Sequence, residues 1–124
     1  MNSNSRILLF NVNSKKSTQI EKLCKQLGIK VTNIYPVNYS QKLGYLAGID
    51  GFKRENTNYT GEELSGEMLL FSGINSEMMD KFLTEYKKAL IPPIGLKAII
   101  TMHNIFWKPT ELYAELVKEH KLLN

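Results

Sequence analysis

The densest chemistry in the chain is the run Thr101-Met102-His103-Asn104-Ile105-Phe106-Trp107, which puts a hydroxyl, an imidazole, an amide and the one tryptophan within a single connection. A loop needs none of these groups to close. One reading is structural: Phe106 and Trp107 plug the core while Thr101 and Asn104 hydrogen-bond the turn backbone. The other is a binding surface, in which Trp107 offers a stacking face and Thr101, His103 and Asn104 offer polar contacts.

The remaining reactive side chains are scattered. His103 and His120 are the only histidines, and neither has a cysteine or second histidine at ligand spacing, so no metal site is expected. His120 falls on the inner side of the last helical pattern, where a satisfied or partly exposed imidazole is the usual case. Cys24 occupies an apolar helix position, the setting of an inert buried thiol. Glu62, Glu63 and Glu67 cluster in the middle of the chain, where carboxylates read as solvated surface rather than an acid-base pair. Gly44, Gly48 and Gly51 follow no strand and make no dinucleotide fingerprint, and there is no P-loop. The turns Asn11 to Ser14 and Ser72 to Ser76 join strands to helices, where free N–H groups favour anions in any α/β chain. No catalytic residue and no cofactor is expected.

Composition narrows the class. A chain of 124 residues, 43% hydrophobic and 23% charged, suits one globular domain. The net charge of +4 raises nucleic acid as a partner, but Lys15-Lys16, Lys53-Arg54 and Lys87-Lys88 are dispersed and interleaved with acids, so that reading is a minor one. A polar start without an apolar signal core, no apolar run of membrane-spanning length and a single cysteine together predict a cytoplasmic protein, with no membrane contact.

These groups must be held by elements that the apolar spacing predicts. Ile7 to Val12 reads as a strand covered on both faces. Ile20, Leu23, Cys24 and Leu27 form a helix stripe stopped by Gly28, with Thr18 and Glu21 at capping-box spacing. Ile29 onward alternates as an edge strand until Pro36. A weak helix follows, with Ser40 as cap, Tyr39, Leu43, Leu46 and Ala47 on one side, and Gly44 and Gly48 allowing close approach, with another helix favoured over a ligand. Residues 49–66 read as a linker, and 67–124 then repeat the order of 1–48. Met68 to Phe71 is a covered strand. Asn75 or Ser76 caps a helix with a buried stripe of Met79, Phe82, Leu83, Tyr86 and Leu90. Leu96 to Thr101 alternates as a second edge strand. Pro109 or Thr110 opens the last helix, with Leu112, Tyr113, Leu116, Val117 and His120 inward.

The expected fold is therefore α/β, two β-α-β-α halves in one four-stranded sheet with the first strand of each half central. Ile7-Leu8-Leu9-Phe10 is echoed by Met68-Leu69-Leu70-Phe71, which leaves duplication an open reading. Ferredoxin-like and flavodoxin-like strand orders both satisfy the pattern.

From about Glu67 to Lys121 the chain resembles a bacterial family catalogued as a domain of unknown function. The resemblance is carried by Lys97-Ala98, the spacing Thr101-x-x-Asn104-x-x-Trp107 and the tail Glu111-Leu112, Glu115-Leu116 and Glu119-His120. It implies a small bacterial domain and carries over no activity, catalytic residue or cofactor. The leading expectation is a non-catalytic module that binds a small molecule or a protein, with self-association as a homodimer. The alternatives are a small enzyme with His103 as proton carrier at a dimer interface, and nucleic-acid binding.

Overall fold

The computed structural model describes residues 4–123; the Met1 to Ser3 start, part of the localisation reading, and Asn124 lie outside them. The elements are β1 (Arg6–Phe10), α1 (Ser14–Leu27), β2 (Lys30–Ile34), a 3-10 turn (Pro36–Asn38), α2 (Leu43–Leu46), β3 (Met68–Ser72), α3 (Ser76–Lys88), β4 (Leu96–Ile99) and α4 (Pro109–Leu123). The strands form one four-stranded sheet in the order β2-β1-β3-β4. β1 and β3, the two most apolar runs, are central, as their burial on both faces demands.

That order is the flavodoxin-like alternative, but the strand directions are not. β1 runs parallel to β2 and β3 parallel to β4, while β1 and β3 are antiparallel. Two parallel βαβ units therefore meet back to back, with Leu8 facing Leu70 at the midpoint.

Each sheet face has its own core. Ile7, Leu9, Leu69 and Phe71 point toward α1 and α3 and pack on Ile20, Leu23 and Phe82. Leu8, Phe10, Met68 and Leu70 point the other way, under Tyr39, Leu43, Leu64 and Leu112. The alternation follows from the period of two along a strand.

Several local expectations are corrected. Helix α1 starts a turn earlier than the Thr18 spacing implies: Asn13 is its N-cap, its side chain accepting from the Lys16 N–H at 2.8 Å. Ser40 caps nothing; its hydroxyl donates to the Thr57 carbonyl. Helix α2 is a single turn after Lys42. Gly44 makes room for an aromatic ring rather than a helix, since a Cβ there would lie 2.5 Å from the Phe52 ring, and Gly48 lies against Arg6. Leu83 and Leu90 are 44% and 85% exposed rather than buried, because α3 sits over the strand pair β1 and β3 and leaves the outer face of β4 open. His120 is exposed near the end of α4 instead of facing inward.

Residues 49–66 carry no helix or strand, but they are pinned down rather than bridging free space. The fully buried amide of Gln41 donates to the Glu55 carbonyl at 3.0 Å and accepts from the Glu55 N–H at 2.7 Å. The Tyr39 hydroxyl donates to the Glu63 carboxylate at 2.5 Å, and the same oxygen accepts from the Leu64 N–H at 2.7 Å. These side chains replace the backbone ladders that the segment lacks, as buried polar backbone requires.

Candidate functional site

The turn after β4 is built around Asn104, 8% exposed, whose short amide can satisfy backbone groups at both of its ends. Its Oδ1 accepts from the Thr101 N–H at 2.9 Å, and its Nδ2 donates to the Ile99 carbonyl at 3.1 Å. Thr101 adds a second clasp, its Oγ1 accepting from the His103 N–H at 3.1 Å. The turn in turn caps α2: the Leu43 and Gly44 N–H groups, which have no partner inside that helix, donate to the carbonyls of Trp107 at 2.8 Å and Ile105 at 2.9 Å. The connection predicted to bear chemistry is thus a rigid joint between the two halves.

His103 and Trp107 project from this joint with ring centroids 5.3 Å apart in an edge arrangement at 62°. His103 is exposed, and Trp107 is half-buried against the second core. Between them and α4 runs an open groove of about 480 Å³ floored by Ala98, Leu112 and Leu116. Its far side is acidic. Glu115 and Glu119, one helical turn apart and so on one face of α4, both line it. Among the described residues neither carboxylate has an ion-pair partner.

Of the four site residues expected from the sequence, the structure brings His103, Asn104 and Trp107 to this groove and turns Thr101 to the opposite side. Phe106 does not plug the core; it is 61% exposed and rests on Phe52 at 5.2 Å between centroids. Sequence reasoning missed Glu115 and Glu119 as groove residues. Their i, i+4 spacing beside Trp107 was the available signal, read there only as part of the family tail.

The other titratable groups are held in structural roles. Burial pushes the Cys24 thiol up to about 12, far from a nucleophile. Burial and the Glu63 carboxylate drive Tyr39 above its ordinary value, and burial then Glu67 raise Tyr86 to about 12. Glu67 does not lie on a solvated surface as expected: it receives Lys16 Nζ at 2.8 Å, which also donates to the Pro93 carbonyl at 3.1 Å. Lys53 and Arg54 follow Phe52 on the α2 side of the sheet, whereas Lys87 and Lys88 end α3 on the other. Among the described residues no three His, Cys, Asp or Glu side chains gather as a metal-ligand set, and no helix is long and apolar enough to cross a membrane.

Neither a curated protein nor a solved structure matches the chain. Residues 67–123, which include β3, α3, β4, the Asn104 turn, α4 and all of the acidic groove, match the model of a family described as a domain of unknown function (DUF3783).

Proposed function

We propose that the protein is a non-catalytic binding module of the bacterial cytoplasm, and that its acidic groove receives a cationic group of a small molecule or of a partner protein. The observation that carries this is the joint lining of one groove by the Trp107 ring and by the carboxylates of Glu115 and Glu119. A cation over an aromatic face gains about 0.5–1 kcal/mol at an exposed site, and each adjacent carboxylate adds up to about 1 kcal/mol. Asn104 positions the turn, and Trp107 and His103 form the aromatic wall. Such a surface needs no rearrangement to bind, because both ends of the turn are already hydrogen-bonded.

Cys24, single and buried, needs no oxidising compartment and supports the cytoplasmic setting. Lys15-Lys16 and Lys87-Lys88 share the layer of α1 and α3 while Lys53-Arg54 lies on the other face, and Lys16 is taken up by Glu67, which speaks against the single basic stripe that nucleic acid would suit. Calorimetry with N-acetylarginine amide and its neutral analogue N-acetylnorleucine amide tests the reading. Saturable heat with the cation alone, weakened about fivefold by Glu119→Gln, supports it. Equal heats for the two ligands reject it.

A further inference from the structure

Arg6 and Ser72 are direct cross-strand neighbours at the end of the central strand pair, where β1 begins and β3 finishes. Over them opens a cavity of about 630 Å³ walled by Ile49, Ile100 and Ile105 and bordered by Thr101 and Asp50. Ser72 is 6% exposed, and its hydroxyl, which has no protein hydrogen-bond partner among the described residues, keeps its access to the cavity. The Arg6 guanidinium lies against Gly48, where a Cβ would stand 3.2 Å from Cζ and Nη2. Among the described residues it makes no ion pair, and Asp50, the one acid in the lining, stands beyond pairing distance.

The back-to-back arrangement supplies an internal control. With Leu8 opposite Leu70, the opposite end of the strand pair sets Phe10 against Met68. Both are fully buried there, and the Tyr39 ring closes over them 6.1 Å from Phe10. Packing therefore has an apolar solution for this place in the fold. A guanidinium and a hydroxyl turned into a cavity at one end only, where the other end is closed by apolar packing, suit a ligand that uses both.

We propose that this cavity binds the oxyanion of a small molecule, a carboxylate or a phosphate carried on a short apolar body. Arg6 offers its planar fork to two oxygens. Ser72 and Thr101 offer hydroxyl donors, Thr101 keeping its proton free because its oxygen already accepts from His103. The isoleucine walls take the body. The cavity also lies beyond the carboxyl ends of β3 and β4, where open α/β sheets take their ligands. This site shares no lining residue with the acidic groove, so either can fail without the other.

Amide NMR on the whole chain, titrated with benzoate, inorganic phosphate and neutral benzyl alcohol, tests it. The expected result is saturating shifts at Gly48, Ser72 and Gly73 with an anion and none with benzyl alcohol. Tighter benzoate assigns a carboxylate ligand, and tighter phosphate assigns a phosphate. Arg6→Gln should weaken binding about tenfold and Ser72→Ala about threefold; if Arg6→Gln fails to fold, Ser72→Ala and Arg6→Lys decide. Three results overturn the site: no saturation with either anion, equal binding of benzyl alcohol, or affinity untouched in every folded variant.

Discussion

Leu8 faces Leu70 across the antiparallel centre of the sheet, and the spacing that joins them along the chain recurs throughout the two units. It joins the N-caps Asn13 and Asn75, the core residues Ile20 and Phe82, and two pairs with positive φ, Asn11 with Gly73 and Gly28 with Leu90. The sheet is one βαβ unit set against a second of the same spacing, and departures from that repeat mark where other demands act.

Leu90 is one departure. At φ 56° it holds the left-handed conformation that Gly28 adopts at φ 75°, with a side chain 85% exposed that gains little from burial. A left-handed leucine costs about 1–2 kcal/mol, partly offset by the entropy a glycine would lose. Leu90→Gly should therefore stabilise the protein by about 0.5–1 kcal/mol, raising Tm by about 2–5 °C. Gly28→Ala should lower it by a similar amount. Thermal unfolding of both variants checks the pair, and a falling Tm for Leu90→Gly would refute the strain.

Asn104 is the residue whose loss should be felt most in the turn. Asn104→Ala removes both amide bonds and leaves the Ile99 carbonyl and Thr101 N–H to find water, costing about 2–4 kcal/mol. Because the same turn caps α2, hydrogen exchange at Leu43 and Gly44 should accelerate more than at Ile20, which lies on the other face. Uniform acceleration would contradict a local joint.

Alkaline pH should unfold the protein early. Cys24 and Tyr86 are raised from ordinary values of 9.0 and 10.0 to about 12, so the folded state holds their protons more tightly. Their stabilising contribution is complete below about pH 9 and is lost as pH rises toward about 12. Urea midpoints should fall across that window, and Cys24→Ala should flatten part of the fall. A midpoint constant from pH 9 to 11 would deny the burial of both groups.

Elements covered on both faces were legible, because β1 and β3 need unbroken apolar runs and helices need caps and stripes. What the sequence hid was pairing. Arg6 and Ser72 are far apart along the chain, and only the antiparallel register makes them one site. The same register shows the echo of Ile7 to Phe10 by Met68 to Phe71 to be one residue out of step, since Leu8 matches Leu70 and not Leu69. The Thr18 spacing masks the repeat in the helices, which becomes plain only with Asn13 as the cap that matches Asn75. Leu83 and Leu90 fit a helical stripe, yet periodicity says nothing about whether a sheet extends beneath it. Asn104 and Trp107 stood out by type, and their division between holding the turn and facing the groove needed coordinates.

Trp107, the only tryptophan, lines the acidic groove, so its emission reports on whatever enters there. Tetramethylammonium, a cation without hydrogen-bond donors, should change the Trp107 emission saturably, and the joint change Glu115→Gln with Glu119→Gln should weaken that binding about tenfold or more. An emission that drifts linearly with added salt, identical for the cation and for sodium, would contradict cation binding in the groove.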